Sequence, residues 1–287
     1  MRPGGEAGET RIGLLPESFQ ASPAAGLAPA PLQIDNGGAS ANDTCETQRR
    51  GASADRPPGA ADRPRLTRSS GGDLAGWRCR VSRVVLVRHG QTEWNRVERF
   101  RGLVDIDLNE TGAWQAERLG QAIKERFQVS AIYSSPLTRA MRTAQAIGRF
   151  VGVDVVSYPA LVDFSYGAWE GRSPEEVEAA YPDLYRLWLT QPHRVKIPGG
   201  ESLRGLRLRA SAALLEIARD HPRGTVVLVS HRAVCKVLAC HLLGLPTSQI
   251  WRLDMDNASF SVFEECENGW VTRLLNETCH LRGDPRS

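Results

Sequence analysis

The stretch Val84-Val85-Leu86-Val87-Arg88-His89-Gly90 sets four consecutive β-forming residues against an abrupt polar stop. An unbroken aliphatic run of that length reads as a strand buried on both faces, the form strands take inside a parallel sheet. A second run of the same kind, Thr225-Val226-Val227-Leu228-Val229, also ends in a polar pair, Ser230-His231. Shorter β-rich segments at 130–133, 153–157, 259–263 and 270–275 supply further strands.

Helical stripes lie between them. Ala116, Leu119, Gly120, Ile123 and Phe127 share one face, and Leu137, Ala140, Met141, Ala144, Ile147 and Val151 share another. Ser173-Pro174-Glu175-Glu176 supplies an N-cap, a proline at the first helical position and a capping-box glutamate. Further stripes run from about 202 to 219 and from 232 to 243, the second stopped by Gly244 and Pro246. Strands alternating with helices predict an α/β fold, a three-layer α/β/α sandwich on a mainly parallel sheet. The last two strands follow one another too closely for a crossover helix, which predicts an antiparallel edge.

The chain has 287 residues, 41% of them hydrophobic, and a formal net charge of +3. Residues 1–80 carry no period of 2 or 3.6 and are rich in Gly, Ala, Pro, Ser and Arg, so they are expected to form a disordered low-complexity extension, or to precede the true start near Val81. One domain is expected over 81–281, followed by a flexible C-terminus at 282–287. No apolar run approaches the roughly 18 residues of a spanning helix, and the N-terminus has no secretory h-region, so no membrane association and a cytoplasmic location are expected. Six cysteines (45, 79, 235, 240, 266 and 279) form no C-x-x-C pair, in a chain too long to need staples; free thiols are expected. Positive charge is almost all arginine, with lysine only at 124, 196 and 236, and no basic stripe interleaves with aromatics, so no nucleic-acid partner is expected. There is no H-E-x-x-H, and Cys235, Cys240 and His241 lie along or beside an apolar helix face, so no metal and no cofactor are expected. The absence of G-x-x-x-x-G-K-[ST] excludes a fused P-loop kinase. No oligomeric state follows from these residues.

In an open parallel sheet, ligands bind beyond the carboxyl ends of the strands. That rule gathers Arg88-His89-Gly90 after the first strand, Ser134-Ser135-Pro136 with Arg139 after the second, and Ser230-His231 after the fourth. Two histidines and two arginines converge beside helix N-termini whose free amides suit an anion. Placing cations together costs energy unless an anion compensates them, so the guest expected there is a phosphate.

The decapeptide Leu86-Val87-Arg88-His89-Gly90-Gln91-Thr92-Glu93-Trp94-Asn95 resembles the signature of the histidine phosphatase superfamily, also called phosphoglycerate-mutase-like. The likeness continues through Ser134-Ser135-Pro136-Leu137-Thr138-Arg139-Ala140, Phe164-Ser165-Tyr166-Gly167-Ala168-Trp169-Glu170-Gly171, Pro198-Gly199-Gly200-Glu201-Ser202 and Val229-Ser230-His231. It covers 81–281 and none of the extension. The resemblance implies that His89 attacks phosphorus and becomes phosphohistidine, with Arg88, Arg139 and His231 clamping the phosphoryl oxygens. Gly90, Gln91, Thr92 and Asn95 are implied to line the same group. The family's proton donor is commonly a glutamate just before the aromatic-Gly-x-Trp-x-Gly stretch; the matching residue here is Asp163, a methylene shorter. Glu170 is expected to make a structural bond in its loop, and Glu201 to help bind substrate or shape the pocket.

Family mutases carry a long insertion before the Pro-Gly-Gly-Glu motif, whereas Gly171 and Gly199 here bracket a short segment. The more open pocket favours water as the acceptor, hence a histidine acid-type phosphatase acting on a small phosphorylated metabolite. The alternatives are a bisphosphoglycerate-dependent phosphoglycerate mutase or a non-catalytic phospholigand-binding protein. Arg172, Tyr181, Tyr185, Trp188, His193, Arg194 and Lys196 lie in the segment above the pocket and are candidates for touching the rest of the substrate.

Overall fold

The computed structural model describes residues 79–283, with side chains from residue 82; the expectations for the N-terminal extension and for residues 284–287 lie outside the described residues. Six strands form one sheet: β1 (Cys79–Arg88), β2 (Val129–Ser134), β3 (Val155–Ser157), β4 (Thr225–Ser230), β5 (Phe260–Cys266) and β6 (Gly269–Glu277). Their spatial order is β3-β2-β4-β1-β5-β6. The first four are mutually parallel, while β5 runs antiparallel to β1, and β6 to β5. The antiparallel edge expected from the sequence is therefore a two-strand hairpin. β1 begins at Cys79, ahead of the boundary expected at Val81.

Among the described residues seven α-helices complete the layers: α1 (Glu93–Arg96), α2 (Glu110–Arg126), α3 (Thr138–Val151), α4 (Pro174–Ala180), α5 (Pro182–Thr190), α6 (Leu203–Asp220) and α7 (Arg232–Leu242). Strand periodicity divides the core. Val84 and Leu86 of β1 and Val226 and Leu228 of β4 point to the face covered by α6 and α7. Val85, Val87, Val227 and Val229 point to the opposite face, against Leu119 and Ile123 of α2 and Ala140, Ala144 and Ile147 of α3. Each such valine or leucine, taken fully out of water, contributes about 1.5–3 kcal/mol of hydrophobic stabilisation. The capping box at α4 forms as the sequence implies: Glu176 N donates to Ser173 Oγ at 3.2 Å, and Ser173 N to Glu176 Oε2 at 2.7 Å. The short α1 was not foreseen, because four residues carry no amphipathic period.

Cys235 and Cys240 are free and buried in the core. Cys266 is disulfide-bonded, which corrects the expectation of free thiols. The β1–β5 register sets the backbone of Cys79 opposite that of Cys266. Among the described residues no helix is long and apolar enough to cross a membrane.

Candidate active site

Three neighbouring strand ends are tied together by backbone bonds just past the sheet. His89 N donates to Ser230 O at 3.0 Å and Ser135 N to Val229 O at 3.0 Å. The residues after β1, β2 and β4 therefore lie side by side, and the rings of His89 and His231 face each other with centroids 5.2 Å apart. On the far side of β1, Ala258 N donates to His89 O and Arg88 N to Ser259 O, each at 3.1 Å, so the backbone of His89 is held from both flanks. Gly90 is required by contact: a Cβ there would lie 2.5 Å from the carbonyl oxygen of Gly112.

His89 is wholly buried. Its Nδ1 stands 2.6 Å from Gly90 O. A carbonyl only accepts, so Nδ1 carries the proton, and Nε2 of the neutral ring keeps its lone pair. Nε2 is sealed from solvent and has no protein partner. Burial, followed by the neighbouring His231, Arg139 and Arg88, holds the imidazole well below its ordinary pKa. His231 is depressed in the same way, by burial and then by Arg139, Arg101 and Arg209. Its Nε2 lies 2.7 Å from Ser135 Oγ, and its Nδ1 lies 3.6 Å from Asp163 Oδ2 without a hydrogen bond.

Main-chain oxygens anchor both arginines, and Arg139 is paired with a carboxylate as well. Arg88 Nη1 donates to Met255 O at 2.6 Å. Arg139 Nη1 and Nη2 donate to Val104 O and Gly102 O at 2.8 and 2.9 Å, and Nη2 also reaches Asp163 Oδ2 at 3.1 Å. Burial and the nearby Arg101 and Arg232 lower the Arg88 pKa to about 9, so it stays charged at neutral pH. Asp163, 5% exposed, sits between Arg139 and His231 and accepts from Phe164 N at 2.8 Å through Oδ1. Arg88, Arg139 and Arg101 each have a buried Nε without a protein partner, as do His89 at Nε2 and His231 at Nδ1. Three buried guanidinium donors unfilled by the protein, beside one unprotonated imidazole nitrogen, suit a polyoxygenated anion.

The profile of the histidine phosphatase superfamily (branch 1) matches residues 84–278. The chain belongs to this superfamily. It is 40% identical over 199 residues to phosphoserine phosphatase 1 of Hydrogenobacter thermophilus, covering 69% of this chain and 94% of that protein. It is 32% identical over 203 residues to a metal-independent phosphoserine phosphatase of Arabidopsis thaliana, covering 70% of this chain and 84% of that protein. Among solved structures it resembles a phosphoserine phosphatase mutant from Entamoeba histolytica in complex with phosphoserine, with TM-score 0.63, 30% identity, and coverage of 69% of this chain and 98% of that one.

The remaining superfamily motif residues fall into two groups. Thr92 Oγ1 donates to Asn95 Oδ1 at 2.9 Å, and Asn257 Nδ2 reaches the same oxygen as well as His89 O and Gly90 O. These three residues brace the loop that follows β1. Gln91 instead bonds Asn109 and Gln115 at the entry to α2. Glu201 is held by Arg209, with Oε1 to Nε and Oε2 to Nη2 both at 2.8 Å. Glu170 Oε1 accepts from Leu103 N at 3.2 Å and Tyr166 N at 3.0 Å, the loop role expected of it. Next to it, Gly171 N donates to Phe100 O and Phe100 N to Arg172 O, stitching the loop before α2 to the loop before α4. The sequence reading missed Arg101, Arg209, Arg232, Ser135 and Asn257. Two of them sit in loops and two on helices where an arginine reads as solvated; Ser135, inside a quoted motif, gave the only signal.

Of the segment above the pocket, Trp188 packs into the core, stacked on Phe164 at 5.8 Å with Tyr166 and Trp169 edge-on. Tyr181 and Tyr185 lean on Trp169, and Arg172, His193, Arg194 and Lys196 are exposed. Cys235 fills core volume between α7 and β1, where burial pushes its thiol pKa up.

Proposed function

We propose that the chain hydrolyses a small phosphomonoester through a phosphohistidine on His89. The observation that carries this reading is the His89 ring itself: Nδ1–H is fixed on Gly90 O, leaving the Nε2 lone pair buried among Arg88, Arg139 and His231. In the first step Nε2 attacks phosphorus as the P–O bond to the alcohol breaks, and Asp163 gives its proton to the departing oxygen. In the second step Asp163 takes a proton from water, whose oxygen attacks phosphorus. The P–N bond breaks, releasing inorganic phosphate and restoring the neutral imidazole. The guanidinium groups stabilise the negative charge on the equatorial oxygens in both transition states, a contribution of several kcal/mol in sites of this kind. Because burial and neighbouring cations keep His89 unprotonated well below pH 6.5, the nucleophile persists into acid, which supports the acid-type description. The relatives named phosphoserine phosphatase make phosphoserine a first substrate to assay.

The test is rapid acid-free quenching after mixing with ³²P-labelled substrate. An acid-labile, base-stable labelled protein is expected, with none formed by His89→Ala. Release of phosphate should exceed isomerisation of 3-phosphoglycerate primed with bisphosphoglycerate; dominant isomerisation would make the protein a mutase.

A further inference from the structure

We infer that Ser135 is a positioning residue for His231: its hydroxyl donates to Nε2, so the ring's one proton sits on Nδ1 and points into the pocket as a donor to an oxygen of the guest. The inference rests on the phosphomonoesterase reading above and deepens it, giving His231 and His89 opposite tasks in the same neutral state.

Ser135 directly follows β2 and is wholly buried. Its amide is fixed on Val229 O at 3.0 Å, and Ser134 Oγ donates to its carbonyl at 3.0 Å, so the residue is held beside the end of β4. The hydroxyl has two neighbours. Leu137 N donates to Oγ at 3.3 Å, in a local turn ahead of α3, and His231 Nε2 lies 2.7 Å away. A serine hydroxyl carries one proton and two lone pairs. The Leu137 amide occupies one lone pair, and among the described residues the proton has no acceptor other than His231 Nε2. Donation to Nε2 is therefore the arrangement that leaves no buried hydroxyl proton unpaired.

The other side of the ring agrees. Nδ1 is closed off from solvent with no protein partner, and Asp163 Oδ2 lies 3.6 Å from it. With the proton on Nε2, Nδ1 would turn a lone pair towards that carboxyl oxygen and towards any anion in the pocket, and the Ser135 proton would be stranded. With both nitrogens protonated the ring would be charged, which burial and the neighbouring Arg139 and Arg101 oppose. The form that remains has Nδ1–H facing the pocket. His89 is the same tautomer turned the other way: its Nδ1–H is spent on Gly90 O, and its Nε2 lone pair is left free. The two rings, with centroids 5.2 Å apart, thus offer a lone pair to phosphorus and a proton to one of its oxygens. A neutral imidazole is a far weaker acid than an imidazolium, so His231 holds that oxygen without surrendering its proton, and the proton for the leaving group stays the task of Asp163.

The test is ¹⁵N NMR of the full chain labelled at histidine, with the His231 signals identified by their loss in His231→Gln. At pH 7 Nδ1 should be the protonated nitrogen and Nε2 the lone-pair one, and bound orthovanadate should shift Nδ1 while Nε2 keeps its type. Ser135→Ala should move the His231 proton partly or wholly to Nε2 and lower kcat/KM for phosphoserine by about three- to tenfold, the worth of one neutral hydrogen bond. Ser135→Thr, which keeps the hydroxyl, should restore both. A wild-type His231 protonated at Nε2 or charged at pH 7 would overturn the inference, as would an Nδ1 signal unmoved by bound orthovanadate. An unchanged tautomer in Ser135→Ala, the result of a merely structural serine, would overturn it too. The spectra need no turnover: the expected tautomer in a protein that hydrolyses no phosphomonoester would reject the phosphatase reading and leave the role of Ser135 standing.

Discussion

Arg209 donates through Nη2 to the backbone carbonyl of Asp163 at 2.8 Å, not to its carboxylate. Its Nη1 also reaches Ala160 O and Val162 O, at 2.9 and 2.8 Å, while Glu201 holds the guanidinium from behind. One α6 side chain thus fixes the main chain that presents the candidate acid. This is how a side chain one methylene short is set beside Arg139 and His231. Arg209→Met should destabilise the fold by about 2–3 kcal/mol in urea titrations, because three carbonyls and Glu201 lose their donor. It should also lower kcat more for glycerol 3-phosphate than for p-nitrophenyl phosphate. A uniform loss across leaving groups would limit Arg209 to stability.

Asp163→Asn removes the proton while preserving shape. Turnover of alkyl phosphates should fall by about 10²–10⁴, the range a general acid supplies, and that of p-nitrophenyl phosphate far less, since nitrophenolate leaves almost unaided. Equal losses on the two substrates would assign the acid to another residue.

The pH profile follows from the buried imidazoles. His89 and His231 are both held well below 6.5, primarily by burial, so kcat/KM should show no acid limb from either imidazole at its ordinary value of 6.5. An acid limb centred at 6.5 or above would contradict a buried, neutral His89.

His280 tests the same physics in stability. Burial lowers its pKa to about 4, and its ring lies 3.0 Å from the carbonyl of Ala258, the residue whose amide holds His89. The folded state binds this proton less readily than the unfolded chain, whose value is near 6.5. Stability is therefore complete above 6.5 and declines as pH falls towards 4. Between pH 7 and 4.5, wild type should lose on the order of 2 kcal/mol more than His280→Gln, read from urea midpoints.

Gly90→Ala would drive a methyl carbon to 2.5 Å from Gly112 O, a backbone atom that cannot swing aside. A loss of about 1–3 kcal/mol is expected from overpacking, with a lower Tm by calorimetry. Because the carbonyl of Gly90 also fixes the His89 tautomer, kcat should fall beyond what the lost folded fraction explains.

Much of this architecture was legible beforehand because 84–87 of β1 and 226–229 of β4 are apolar at every position, and because Arg88, His89, Arg139 and His231 lie at or just past strand ends. Topology alone gathers such residues: Arg139 and His231 lie against Asp163, and the ring of His89 faces that of His231. What stayed hidden depends on partners distant in sequence. Glu201, expected to bind substrate or shape the pocket, holds Arg209, which bonds the backbone of Asp163, and Arg101 gave no signal because its closed-off Nε depends on the folded loop. Cys266 looked free because register cannot be counted along one strand.

Glu170 and its neighbours bind the stretch around Phe100–Leu103 to the stretch around Tyr166–Arg172 through side-chain and main-chain bonds. One of these carries Arg101, and the other begins just after Asp163. The two stretches are therefore one hydrogen-bonded unit, so a change that shifts either of them is transmitted to the other.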